Sequence, residues 1–112
     1  MIRNTNRTFS PPTDVIELPD KLLVLVELAG MHTSDLSITL TERHLVISGV
    51  RARPQHDNPA YHQVEIGFGA FRVEILLPWL VERDHISASY EGGFIQVELP
   101  RRAPKQIPVI EK

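Results

Sequence analysis

The chain has 112 residues, a length that fits one domain with a modest hydrophobic core. Twelve basic and fourteen acidic residues give a formal net charge of −2, which excludes the basic stripe that a phosphate backbone requires, so we expect no nucleic-acid partner. The absence of cysteine excludes a disulfide framework and a thiolate metal site, and it suits a reducing compartment.

The N-terminal residues 1–12 are polar apart from Phe9, and they are predicted to form a short flexible arm. They lack the apolar centre of a signal peptide, and no apolar run in the chain approaches transmembrane length. We therefore expect a soluble cytoplasmic protein with no membrane partner.

The next two segments have strand patterns. Residues 13–18 fit a short edge strand, and Pro19-Asp20 makes the turn that follows. Residues 21–28 carry apolar side chains at both odd and even positions, which predicts a central strand covered on both faces.

The middle of the chain alternates between strand patterns and polar connections. Leu36, Ile38 and Leu40 alternate with small polar residues, the period of a strand with one solvent-facing side. Residues 45–48 follow as another strand. Residues 49–60 form a long polar excursion, and residues 61–66 again have a strand-like pattern.

The last third of the domain predicts one half-buried strand and a hairpin. Residues 71–77 alternate until Pro78 ends the strand. Residues 86–90 and 95–99 form a pair around Gly92-Gly93, which supplies the positive φ of a turn. No segment has a convincing helical period, so the pattern indicates an all-β antiparallel sandwich over residues 13–100.

The C-terminal residues 101–112 contain an apolar triplet, Ile107-Pro108-Val109, after a basic spacer rich in proline. Pro104 and Pro108 disfavour a helix, and Pro108 lacks the amide that a central strand needs. These aliphatic side chains would stay exposed unless a groove receives them.

The sequence shows no catalytic set, no phosphate-binding loop and no metal-ligand spacing. The serines lack the glycine frame of a nucleophile elbow, and Glu65 and Glu74 are expected to be solvent-facing strand charges. The five histidines fall in turns or at strand ends without the close pairing of a zinc site. We expect no enzymatic activity, no cofactor and no bound metal.

Several motifs together resemble the α-crystallin domain of small heat shock proteins. The most specific is residues 88–100, with an alanine, a glycine turn, two apolar residues and a closing proline. Gly69-Ala70-Phe71 with Leu77-Pro78 matches the glycine, aromatic and leucine-proline frame. Residues 27–31 resemble the family's acidic, leucine, proline, glycine turn, with alanine in place of proline. Ile107-Pro108-Val109 resembles its C-terminal anchor.

The resemblance implies an immunoglobulin-like β-sandwich (the α-crystallin domain). It also implies an ATP-independent holdase that binds unfolding client proteins, dimerises and assembles further. In bacterial and plant members the strand in the long excursion crosses to a partner's edge strand. The likeness therefore implies pairing between a dimer strand and an acceptor edge on a second copy. The dimer strand would be Tyr61, His62, Gln63, Val64, Glu65 and Ile66, and the acceptor edge would be Val15, Ile16 and Glu17.

The anchor is expected to dock between two strands of the sandwich. One carries Ile38 and Leu40, and the other carries Ile86 and Ala88, where small side chains leave an apolar groove. Each fully buried aliphatic side chain is worth roughly 1.5–3 kcal/mol, but ordering the spacer opposes docking, so each contact is weak and reversible.

Two departures from the family leave alternatives open. Val73 stands where the family commonly has an arginine, and Arg72 has the opposite strand parity, so it does not inherit a dimer-interface role. The arm is shorter than usual, which indicates smaller oligomers or a shortened chain. The alternatives in function are a monomeric co-chaperone or adaptor module that docks one folded partner, and an enzyme on a β-sandwich.

Overall fold

The structure is a computed structural model that describes residues 8–112, so most of the predicted N-terminal arm lies outside the described part. The strands are, in chain order, β1 (Thr13–Glu17), β2 (Lys21–Glu27), β3 (Leu36–Thr41), β4 (His44–Arg51), β5 (Gly69–Leu76), β6 (Ser87–Glu91) and β7 (Phe94–Pro100). Two short 3-10 helices, Thr33–Asp35 and Arg83–His85, lie close before β3 and β6.

The strands form two antiparallel sheets, which confirms the predicted sandwich. One sheet has the order β1-β2-β7-β6, and the other has the order β3-β4-β5. Register places apolar residues opposite one another: Val24 pairs with Val15 and Val97 in the first sheet, and Ile47 pairs with Ile38 in the second. Because side chains alternate along a strand, each sheet presents one apolar face to the other.

The core lies between these two faces and is built from apolar side chains. Phe71 is the largest that is fully buried. The buried set is Leu22, Val24, Val26, Leu28, Met31, Leu45, Ile47, Phe71, Leu77, Val81, Ile95, Val97 and Leu99. It draws on both sheets and on the connections between them, so the two sheets stabilise each other.

Two of the predicted strands differ in detail. The second face of β2 is not covered as expected, because Leu23 and Leu25 are only half-buried on the outer side of their sheet. Strand β4 runs on to Arg51 rather than ending at Ser48, since Val50 and Arg51 pair with the first residues of β5. The excursion therefore covers residues 52–68.

At Phe9 the structure differs from the predicted flexible arm. The amide of Phe9 donates to the Ala70 carbonyl at 3.0 Å, and its ring centre lies 5.8 Å from that of Phe71. An aromatic pair of this kind is stabilised by burial and by ring geometry. The chain is thus already attached to the sandwich before β1 begins.

Gly92 and Gly93 join β6 to β7 as predicted, with φ angles of +58° and +84°. Residues with a Cβ rarely adopt this left-handed backbone. The tight turn sets the register of the β6–β7 pair, and β6 forms one wall of the groove described below.

Candidate assembly and docking site

An open apolar groove of about 280 Å³ lies between β3 and β6, which are edge strands of different sheets. Its lining consists of Thr33, Leu36, Ile38, Ala88, Ser89, Tyr90 and Ile95. Of the four predicted groove residues, Ile38 and Ala88 line this cavity. Leu40 and Ile86 do not line it; they pack, partly buried, against the core.

Small side chains on β6 keep the groove open. Ala88 pairs with the buried Val97, so it is on the side that faces the other sheet, yet it is exposed. Leu36 and Ile38 belong to the opposite wall and are half-buried. The groove is therefore largely apolar and accessible from solvent, as a site for aliphatic side chains requires.

Tyr90, which lines the groove, hydrogen-bonds to another part of the sandwich, a role that sequence reasoning missed. Its hydroxyl donates to the Leu28 carbonyl at 2.7 Å and accepts from the Met31 amide at 3.3 Å. These bonds link β6 to the β2–β3 connection. A signal was available in the sequence, since a tyrosine at an inward-facing strand position needs a polar partner for its hydroxyl.

The tail, residues 101–112, leaves the sandwich at a defined place and does not fill its own groove. The amides of Arg101 and Arg102 donate to the Asp20 and Leu80 carbonyls at 3.0 and 3.2 Å. Farther along the tail, Ile107 is 76% exposed and Val109 is 95% exposed. The aliphatic side chains of the predicted anchor are thus exposed to solvent.

The predicted dimer strand, residues 61–66, forms no strand in the single chain, so the strand expected from its pattern is absent there. We call these residues the exchange segment, after the role predicted for them. All six residues are exposed, among them Val64 and Ile66. The β1 edge is also accessible, because β1 ends its sheet and Val15 and Ile16 are exposed.

Arg51 holds the base of the 52–68 loop, and this role was also missed. Its guanidinium donates to the Gly67 carbonyl at 2.9 Å and to the Ala29 carbonyl at 3.1 Å. The guanidinium carbon lies 4.9 Å from the centre of the Phe9 ring and 5.3 Å from that of Phe68. Such contacts combine hydrogen bonding with cation–π attraction.

Arg53 makes a similar contact nearer the exchange segment. Its guanidinium carbon lies 4.7 Å from the Phe68 ring centre and 5.5 Å from that of Tyr61. The first residue of the exchange segment is therefore held near the loop base, while the rest of the segment remains accessible.

Val73 and Arg72 lie on opposite faces of β5, as their parity predicts. Val73 is half-buried opposite Ile47. Arg72 is exposed and pairs with Glu74, and its hydrogen bond and charge hold the pKa of Glu74 below its ordinary value. His44 lies 3.7 Å from the same carboxylate. Arg72 thus forms a surface ion pair within its own chain.

Neither a metal cluster nor a membrane-spanning helix is found in the part of the chain that the structure describes. Within residues 8–112, no group of three histidine, aspartate or glutamate side chains is arranged to hold a metal ion. Over the same range, no helix has the length and apolar character needed to cross a membrane.

Comparison with known proteins identifies the family. The profile of the Hsp20/alpha crystallin family matches residues 14–111. The chain belongs to this family. It is 28% identical to small heat shock protein C2 of Rickettsia felis, over 96% of this chain and 71% of the relative. It is 31% identical to a 17.0 kDa class II heat shock protein of Zea mays, over 98% and 74% of the two chains.

A solved structure of a heat shock protein has the same fold. Heat shock protein 16.0 of Schizosaccharomyces pombe is 29% identical with a TM-score of 0.76, covering 91% of this chain and 99% of that one. The sandwich predicted from the motifs is thus the fold of this family.

Proposed function

We propose that this protein is an ATP-independent holdase, a non-enzymatic chaperone that binds unfolding client proteins in the cytoplasm and prevents their aggregation. Membership of the Hsp20/alpha crystallin family supports a chaperone role. The observation that carries the proposal is an open apolar groove in a chain whose tail has exposed aliphatic residues.

The proposed assembly begins with a dimer made by strand exchange. Residues 61–66 of one copy add to the β1 edge of another, beside Val15, Ile16 and Glu17. An extended chain from position 52 to position 61 reaches about 30 Å from the end of β4. Both surfaces are exposed in the single chain, and an exposed strand edge favours pairing with another chain.

Further assembly uses the tail. Ile107 and Val109 of one subunit, on either side of Pro108, dock in the groove of another. Burial of each side chain contributes roughly 1.5–3 kcal/mol, whereas ordering each spacer residue costs about 1–2 kcal/mol, so one docked tail is weakly held. Many such contacts in a closed oligomer are sufficient together, and any one can still open. An opened groove and a released tail then offer apolar surface to an unfolding client.

A monomeric adaptor that docks one folded partner is the second candidate. Such a module requires neither an exchange segment nor an anchoring tail. The two segments proposed for these roles, residues 61–66 and 101–112, have exposed aliphatic side chains, with Ile66 at 65% and Val109 at 95%. These exposed segments favour the holdase.

The test is suppression of aggregation of a heat-labile enzyme in the absence of ATP, measured by light scattering at several subunit ratios. We expect suppression by the full chain and a stable complex with the client on size exclusion. No suppression by the full chain at any ratio would leave the adaptor as the better proposal.

A variant in the groove makes the test specific. Ala88→Glu places a charge in the groove and is expected to weaken suppression several-fold, because burying an unpaired charge is costly. The matched control is Val50→Glu on the outer face of the other sheet, where Val50 is exposed. Equal suppression by the two variants would mean that the groove takes no part in holding clients.

A further inference from the structure

The tail carries a third aliphatic residue, Ile110, which the groove does not account for. Ile110 is 77% exposed in the single chain. In an extended chain successive side chains point to opposite sides, so Ile107 and Val109 share one side while Ile110 shares the other with Pro108. When the first two residues enter the groove, Ile110 must therefore lie elsewhere.

The position of Pro108 suits a tail that lies along β6 as an added edge strand. Strand β6 ends its sheet and can accept a further strand. In such a strand the amide and carbonyl groups of Ile107 and Val109 point toward β6. Those of the intervening Pro108 point away from β6. The missing amide of Pro108 would then face solvent, which is where edge strands tolerate proline.

A second concavity lies on the opposite side of β6. It measures about 590 Å³ and is lined by Leu25, Ser89, Glu91, Gly92, Phe94 and Gln96. Register places it on the outer face of the four-stranded sheet, because Gln96 pairs with both Leu25 and Ser89. We name it the outer concavity.

The groove and the outer concavity share Ser89. Strand β6 therefore separates the two cavities, which lie on opposite faces of its sheet. The outer concavity also offers apolar surface, since Phe94, opposite Glu91 on the neighbouring strand, is 45% exposed. A strand added to β6 would present alternate side chains to the two cavities.

We infer that the tail of a second copy lies beside β6 as an added edge strand and contacts both faces of the sheet. Ile107 and Val109 enter the groove, and Ile110 packs against Phe94 in the outer concavity. The inference rests on the tail docking proposed above, and it adds a second surface to it. Side chains in both cavities resist rotation of the tail about its own axis. Ile110 therefore reinforces the orientation that pairing with β6 gives to the tail.

The first test measures the subunit concentration at which the assembled full chain half-dissociates. Ile110→Ala and Phe94→Ala are each expected to raise this concentration about tenfold, because each removes part of one apolar contact. The double variant is expected to match the single variants, because the effects of substituting two residues that contact each other do not add. Val50→Ala, which alters an exposed apolar residue on the other sheet, is the control.

The outcomes separate this inference from the proposed function. If Ile107→Ala promotes dissociation and Ile110→Ala does not, the tail docks in the groove alone and the inference is wrong. If the effects of Ile110→Ala and Phe94→Ala multiply, Ile110 docks on some other surface. If no tail substitution matters, tail docking itself is wrong.

A second test does not depend on how well Phe94→Ala folds. The chain has no cysteine, so single cysteines can be introduced without background. Copies carrying Ile110→Cys are mixed with copies carrying Ser89→Cys or Glu91→Cys, at the two β6 positions that line the outer concavity, and oxidised. We expect a mixed disulfide with one of them, because this bond requires Cβ atoms about 3.5–4.5 Å apart.

The matched control for this disulfide is Ala88→Cys, on the same strand but on the side that faces the groove. In the proposed arrangement Ile110 lies on the opposite face of the sheet from that position, so we expect little cross-linking. A yield with Ala88→Cys equal to or above the higher of the yields with Ser89→Cys and Glu91→Cys would overturn the inference.

Discussion

Gly49 lies on β4 where the 3-10 helix before β3 comes close to it. A Cβ at this position would lie 2.2 Å from the Asp35 carbonyl oxygen and 3.0 Å from two atoms of the Phe71 ring. The first is a backbone atom and the second belongs to the core, so neither can move freely. Glycine is therefore required here for space.

Gly49→Ala is expected to lower the free energy of unfolding by about 2 kcal/mol or more, the cost of overpacking a close contact. Gly92→Ala is the matched control, because a Cβ there meets no atom within 4 Å and only the φ of +58° is unfavourable. That substitution should cost about 1 kcal/mol. Urea midpoints at one fixed protein concentration measure both, and a smaller shift for Gly49→Ala than for Gly92→Ala would show that the Asp35 contact relaxes easily.

At the residue scale, strand parity could be predicted from the sequence and distant partners could not. The opposite faces of Arg72 and Val73 follow from alternation alone. The contacts of Arg51 with Ala29 and Gly67 join segments that are far apart in the chain. No local pattern encodes such a contact. For Tyr90, the inward-facing position signals that its hydroxyl needs a polar partner, but it does not say that the partners are Leu28 and Met31.

At the scale of the elements, the 52–68 loop, which joins β4 to β5, is fixed at its base and exposed in its middle. Its base is fixed by Arg51 and Arg53, while the exchange segment makes no strand in the single chain. The side chains of that segment are exposed, so removing a backbone donor from it should leave the sandwich intact. We therefore expect substitutions in this segment to leave the domain folded.

Val64→Pro is expected to convert the smallest assembled species from dimer to monomer, because proline lacks the amide that pairing with the β1 edge requires. Gln55→Pro, in the same loop but outside the exchange segment, should leave the dimer unchanged. Native mass spectrometry measures both, and far-UV circular dichroism checks that the sheets persist. A dimer that survives Val64→Pro would place the interface elsewhere.

The alternation of apolar and polar residues predicted strands well where a partner strand in the same chain pairs with them. It predicted β3, and it predicted the hairpin of β6 and β7 around Gly92-Gly93. It was insufficient for residues 61–66, because a strand pattern becomes a strand only where an edge is available to pair with it. It also missed the end of β4, where Val50 and Arg51 pair with β5 beyond the last alternating apolar residue.

For the whole molecule, the decisive feature is that apolar surfaces suited to assembly remain uncovered in a single chain. The groove lies between edges of two different sheets, so its existence follows from the sandwich and not from any one segment. The motifs predicted its walls through Ile38 and Ala88. The part that Tyr90 plays, and the outer concavity beside Phe94, depend on packing that no motif encodes.

The most direct measurement is the native mass of the full chain in solution beside that of a chain ending at Pro100. We predict a large oligomer for the full chain and dimers for the shortened one, because in the proposed assembly the tail with Ile107 and Val109 connects dimers to one another. Equal masses for the two chains would contradict this mechanism, since the tail would then take no part in assembly.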